Sequence, residues 1–228
     1  MLPVAQIAAY ILCSVLVALS GCASINEKSP YPQSWPAPSQ SALHGCPDIS
    51  GTYEDAASEV FPKPAAGPGN PDGSLARIIA QVMGASTRDQ MHSAAKSVPG
   101  KRSVDFAISE TGLRVRTSSP DSLHSERIFR RTRAELFETR LHDAFICSIS
   151  ELGPELRFLA EIDSVAGGAP FVGFGQSKVT VSLFRSFDGS LIVRWNRQTA
   201  GIIVLAPYLK NESTWLRFRT LPVSSLEP

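Results

Sequence analysis

Between Ser103 and Phe218 the chain alternates apolar and polar residues with a period of two, in several separate stretches. Val104, Phe106 and Ile108 alternate with polar or small residues, and after a turn at Glu110–Gly112 Leu113 and Val115 are set against Arg114 and Arg116. Leu156, Phe158, Ala160 and Ile162 repeat the pattern, as do Val179, Val181 and Leu183. A turn at Asp188-Gly189 leads to Leu191, Val193 and Trp195, with Arg194 and Asn196 between them, and Leu216 and Phe218 end the series. Successive side chains of a strand point to opposite faces, so the alternation predicts antiparallel strands with one buried and one solvated face. The run GIIVLA, Gly201 to Ala206, is apolar at both parities and is expected to be a central strand or one covered by a helix. Residues 131–141 suit a capped helix and an extended chain equally.

A different period precedes the strands. Leu75, Ile78, Ile79 and Val82 fall at i, i+3, i+4 and i+7, with Ser74 placed to cap the start and Gly84 to end the helix. A second helix is expected from Arg88 to Ser97, because Thr87 and Gln90 have capping-box spacing and Pro99-Gly100 would stop it. Phe61 to Ser74 is rich in Pro and Gly and reads as loop. The expected fold is mainly β: an antiparallel β-barrel or sandwich of about eight or nine strands with a small α-helical insertion, forming one domain over residues 46–222.

The N-terminus has another character. No charged residue occurs before Glu27, and the segment Leu2 to Ser20 ends in LSGC, Leu19 to Cys22. An apolar segment of this length closed by small residues has the form of a secretory leader. LSGC resembles the lipobox of bacterial lipoproteins. That resemblance implies removal of residues 1–21 and acylation of Cys22, and Ala23 in place of an Asp implies the outer membrane, on its periplasmic side. An uncleaved membrane helix, with Cys22 an ordinary thiol, is the alternative.

From Ala23 to Gly45 four prolines and many serines make a linker, so residues 22–45 are expected to be a lipidated tether. As a coil it would span about 25 Å, and about 70 Å fully extended. Tyr31 and Trp35 are the aromatics in it that could dock on the domain. CPDISGTY (Cys46 to Tyr53), DAFIC (Asp143 to Cys147), DGSLIVR (Asp188 to Arg194) and STWLRF (Ser213 to Phe218) together resemble a group of uncharacterised proteobacterial lipoproteins. The resemblance implies a lipoprotein and supplies no catalytic residues.

Cysteine arithmetic follows from the compartment. Cys13 lies in the leader and Cys22 is the lipid site, which leaves Cys46 and Cys147 as a disulfide pair in an oxidising environment. Two free thiols, or a Cys147 nucleophile assisted by His142, are the alternatives. Lys plus Arg total 22 against 21 for Asp plus Glu, so no charge excess draws the chain to nucleic acid.

Catalytic patterns are not evident. His44, His92, His124 and His142 form no close pair at ligand spacing, and GFGQS (Gly173 to Ser177) lacks the GxSxG order of a nucleophile elbow. No catalytic, metal-binding or cofactor-binding residue is expected. Arg127, Arg130, Arg131, Arg133 and Arg140 could meet lipopolysaccharide phosphates or an acidic partner, or could simply form a solvated charged edge. The expected role is a noncatalytic binding or scaffolding lipoprotein, held to the membrane by its lipid and meeting an envelope protein. A lipocalin-like carrier of a hydrophobic ligand is the alternative, in which SGTY (Ser50 to Tyr53) is similar to that family's GxW opening but lacks the Trp.

Overall fold

The structure, a computed structural model, describes residues 23–27, 29–43, 45–63, 73–82, 102–118, 125–132, 144–168, 171–203 and 206–222. The expected second helix, the four histidines, Cys22 and residues 133–141 lie outside them. Before the helix come five short strands: β1 (Ala23–Glu27), β2 (Ala42–Leu43), β3 (Cys46–Pro47), β4 (Gly51–Glu54) and β5 (Glu59–Phe61). The helix α1 (Leu75–Gln81) is followed by β6 (Ser103–Ile108), β7 (Gly112–Ser118), β8 (Ser125–Arg131) and β9 (Ala144–Ser150). Four long strands complete the fold: β10 (Gly153–Gly168), β11 (Phe171–Arg185), β12 (Leu191–Ile203) and β13 (Ala206–Phe218).

The chain is mainly β, and its large sheet has the order β1-β13-β12-β11-β10-β9-β8-β7-β6-β4, with β5 also on β13. Most pairs are antiparallel neighbours in sequence, which short turns make possible. Gly189 at φ +82 and Gly153 at φ +113 occupy turn positions that would strain a residue with a Cβ. Two pairs depart from the expected antiparallel plan: β8 meets β9 in parallel through Arg130 and Arg131, and β1 lies parallel to β13. Alternation records which face a residue takes, not which way its neighbour runs.

The path of hydrogen bonds returns to its start. β4 pairs β6 along one edge. On the other, Glu54 N–H donates to the Arg219 carbonyl at 2.9 Å, Leu221 N–H donates to the Thr52 carbonyl at 2.8 Å, and β5 pairs with β13.

The buried face of this ring is the core. Tyr53, Phe106, Phe129, Phe145, Phe158, Trp195 and Phe218 are each at most 1% exposed. Phe129 and Phe158 stack edge-on at 4.9 Å, as do Tyr53 and Phe106 at 5.9 Å. α1 adds Leu75, Ile78 and Ile79 to the same cluster. Its start is held as the sequence predicts, since the Ser74 hydroxyl accepts from Arg77 N–H. The buried Asp55 adds a second acceptor, taking hydrogen bonds from Ala76 N–H at 2.7 Å and the Ser74 hydroxyl at 3.0 Å. Thus β4 and α1 are coupled directly through one carboxylate.

GIIVLA is not a single central strand. Gly201–Ile203 end β12 and Ala206 begins β13, so the run straddles the hairpin between them. Apolar residues at both parities fix neither where one strand ends nor where the next begins.

Cys46 and Cys147 are joined, with Cα atoms 5.0 Å apart and a sequence separation of 101. The bond ties the segment before β4 to β9, and both cysteines pack with the core. Replacing them as a pair, Cys46→Ser with Cys147→Ser, is expected to lower unfolding stability by about 2–5 kcal/mol in urea titrations. An unchanged midpoint would show that the noncovalent contacts of residues 45–50 suffice.

Candidate functional site

Three described surfaces combine polar or aromatic groups in a way the core does not require. The first is a clasp on the outer face of β11, β12 and β13. Phe184 and Ile192 are cross-strand partners there, and Trp215 is the partner of Arg194. All three apolar residues face away from the core, and segment 29–38 covers them. Tyr31 stacks edge-on against Trp215 at 5.3 Å and Trp35 at 6.2 Å. Trp215 Nε1–H donates to the Ser29 carbonyl at 3.0 Å, and the Arg194 guanidinium lies over the Trp215 ring at 5.1 Å. Burial lowers the Arg194 pKa and pushes the Tyr31 phenol up to about 12, so the phenol stays protonated and donates to the Pro36 carbonyl.

The rest of the segment is held by backbone and by one side-chain amide. Ser39 N–H donates to the Arg185 carbonyl at 2.6 Å, Phe187 N–H donates to the Ala37 carbonyl at 3.1 Å, and Gln40 Nε2 donates to the Leu152 carbonyl at 3.2 Å. The sequence reads residues 23–45 as linker, yet Trp35 is only 7% exposed and β1 pairs with β13. The legible signal for this clasp was the outward parity of Phe184, Ile192 and Trp215: apolar residues on three adjacent strands of a supposedly wet face demand a cover.

The second surface is a charged node at the β11–β12 turn. Asp188 accepts from the Ser186 and Ser190 hydroxyls, from Ser190 N–H and from Arg217, which also reaches Glu59 at 2.6 Å. Burial alone would raise the Asp188 pKa, but these donors outweigh it and hold the carboxyl well below the usual carboxylate range. Arg217 thereby links the turn to β5, the strand that closes the ring. The sequence shows Asp188-Gly189 as a turn but gives no sign of the ion pairs, because Arg217 is remote in the chain.

Two open grooves form the third surface. One of ≈ 320 Å³ is lined by Lys178, Thr180, Arg194, Asn196, Gln198 and Asn211, among others. The other, ≈ 600 Å³, contains Arg114, Arg130, Arg131 and Ile128, the last 64% exposed. Arg127, Arg130 and Arg131 lie on β8, and Arg116 on β7 pairs with Glu126 at 2.8 Å. Arg133 and Arg140 fall outside the described residues. Both grooves offer hydrogen-bonding and charged contacts to a polar ligand.

The serine of GFGQS sits within β11, where its buried hydroxyl meets Thr199 Oγ1 at 3.1 Å and accepts from Arg197. It occupies no strand-to-helix elbow. Among the described residues no group of three His, Cys, Asp or Glu side chains could hold a metal ion, and no helix is long and apolar enough to cross a membrane.

The fold and these surfaces define a mainly-β protein with an N-terminal segment clasped to its outer face. Compared with protein families and with curated proteins, the sequence matches none.

Two tests follow from these surfaces. Trp35→Ala is expected to cost about 3 kcal/mol, near the lower end of the range for buried aromatic truncations. Urea unfolding measures it, and a loss near zero would mean that the clasp carries no stability. An acid whose folded pKa lies below its unfolded value of about 3.9 stabilises the fold at higher pH and loses that contribution as pH falls toward the folded value. Asp188→Asn should therefore be less stable than the parent at pH 6 and lose less stability between about pH 5 and pH 2. Parallel pH profiles for the two proteins would contradict the node.

Proposed function

We propose that the protein is a lipid-anchored lipoprotein of the bacterial envelope, acting as a noncatalytic binding or scaffolding module on the periplasmic side of the outer membrane. The observation that carries this is LSGC, Leu19 to Cys22, closing a leader with no charged residue. Acyl chains on Cys22 supply the membrane attachment, since each buried CH₂ contributes about 0.8 kcal/mol and a second chain makes anchoring firm. The Cys46–Cys147 bond suits an oxidising compartment.

Binding is favoured over carriage of a hydrophobic ligand. A carrier needs an internal cavity, and Phe106, Phe129, Phe145, Phe158 and Trp195 occupy the described interior. The open grooves on the outer face support contact with a polar envelope partner instead.

Mass spectrometry of protein purified from membranes tests the anchor. The expected chain begins at an acylated Cys22. Met1 still joined to an unmodified Cys22 would overturn the lipoprotein assignment, and recovery with the inner membrane would overturn the outer-membrane one.

A further inference from the structure

On the outer face of the long strands, one rung sets two guanidiniums on either side of a serine. Arg157 on β10 pairs with Ser182 on β11, Ser182 with Arg194 on β12, and Arg194 with Trp215 on β13. Neighbouring strands lie about 4.8 Å apart, so the Arg157 and Arg194 backbones are separated by only about 10 Å. Like charges on long side chains therefore share one narrow stretch of surface.

The acids nearby do not serve them equally. Glu155, 1% exposed, accepts from Arg157 and from the Ser148 hydroxyl at 2.9 Å. Among the described residues Arg194 has no hydrogen bond or ion pair: its guanidinium lies 5.1 Å from the centre of the Trp215 ring, and its Nε–H is buried without an acceptor. Burial, and to a lesser degree the Arg157 charge, disfavour the charged form of Arg194 and lower its pKa, against which Glu155 and Glu151 act only in part. A bound anion would supply the counter-charge that these two acids do not.

The groove of ≈ 320 Å³ begins at this rung. Arg194 stands in its wall, and the next rungs of the same face add Thr180, Asn196 and Ser213, then Lys178, Gln198 and Asn211. A volume of this size falls at the lower end of small-molecule sites. Donors predominate in its lining. The Ser213 hydroxyl donates to Asn196 Oδ1, which leaves the Nδ2–H₂ end of that amide to the groove. Glu212 is the one acid in the lining, and it pairs with Lys210 at 2.7 Å. Glu161 is the cross-strand neighbour of Lys178, so Arg194 is the cation that the acids of this face leave least compensated.

We propose that this groove binds the oxyanion of a small organic ligand, a phosphate ester or a carboxylate, through Arg194, with the Asn196 amide as second donor. The proposal gives the ligand chemistry of the binding module inferred above and rests on that reading, though not on the anchor at Cys22. A planar guanidinium presents parallel N–H groups that match either oxyanion. Contact with the Trp215 ring holds it in place beforehand, so less rotamer freedom is lost on binding. A partly desolvated cation also gains more from a counter-ion than a fully hydrated one does. Thr180, Gln198 and Asn211 offer hydrogen bonds to a hydroxylated body attached to the anion.

Isothermal titration of the lipidated full-length protein, in a nonionic polyoxyethylene detergent, tests the groove with three probes: glucose 1-phosphate, glucuronate and glucose. At least one of the anions is expected to bind with Kd below about 1 mM, while glucose gives no heat of binding. Binding of glucose 1-phosphate alone would assign a phosphate ester, and of glucuronate alone a carboxylate. Arg194→Gln should weaken the anion about tenfold or more, because hydrogen bonds between charged groups are the strong ones. Asn196→Asp keeps the acceptor for Ser213 and places a negative charge in the groove, so it should weaken binding about as much. That variant leaves the Arg194–Trp215 contact in place and decides the matter if Arg194→Gln fails to fold. Arg114→Gln, in the other groove, should change nothing.

Failure of both anions to bind at about 10 mM, glucose binding as tightly as either anion, or unchanged affinity in the Arg194 and Asn196 variants would overturn the proposal. N-terminal mass spectrometry of the same preparation keeps the two readings apart. Anion binding by protein with an unmodified Cys22 would support the groove and overturn the anchor. An acylated Cys22 with no anion binding would overturn the groove alone.

Discussion

A strand has hydrogen-bonding groups on both edges, and the segment from Gly51 to Phe61 uses both. One edge takes β6 and the other takes β13 and the residues after it. This double pairing turns a long sheet into a ring with a single interior, and other features of the fold follow from it. The interior is filled by aromatic residues at the inward parity. Asp55, directly after β4, reaches the start of α1, so the helix is fixed to the closing segment rather than only packed against it. Arg217, on the strand opposite β5, ties the same closure to the Asp188 turn. An open edge would instead leave unpaired donors and acceptors available to another chain.

The ring has an outer face that is not uniformly polar, and this accounts for the course of the N-terminal segment. Phe184, Ile192 and Trp215 would present a continuous apolar patch to water without Tyr31 and Trp35 over them. Covering such side chains is worth about 1.5–3 kcal/mol each, which offsets much of the entropy of ordering a proline-rich stretch. Proline lowers that entropy further, because its φ is already restricted in the unfolded chain. The composition that reads as linker is therefore also one that orders cheaply once a patch exists to receive it.

Much of the fold was legible because period-two alternation reports burial directly. The strands around Phe106, Phe158, Val181 and Val193, the helix over Leu75–Gln81 with its Ser74 cap, and the Cys46–Cys147 pair follow from local pattern and cysteine count. Strand direction was not legible at β8 and β9, since parallel and antiparallel neighbours share the same alternation. Ring closure was hidden for the same reason: nothing local in Glu54 points to Arg219. GIIVLA illustrates the limit of periodicity most clearly. Its two apolar faces predict a covered strand, yet the described part of the run divides between the end of β12 and the start of β13. Of the candidate surfaces, the clasp could have been inferred from outward apolar parity, whereas the Asp188–Arg217 node depends on long-range pairing that no spacing records.

The ordering of β1 changes what a lipid anchor at Cys22 would do. An acyl chain on a flexible coil of 23 residues restrains position within tens of ångströms and leaves orientation free. With β1 in the sheet and segment 29–38 clasped, most of that stretch is taken up by the folded domain. A short attachment would then hold the domain close to the bilayer surface rather than tens of ångströms from it. Weak contacts with a partner in the same membrane would gain under that condition, because effective concentration rises as the connecting length falls. The clasp and β1, by ordering the stretch that reads as linker, thus set how far the described domain could stand from an anchor at Cys22.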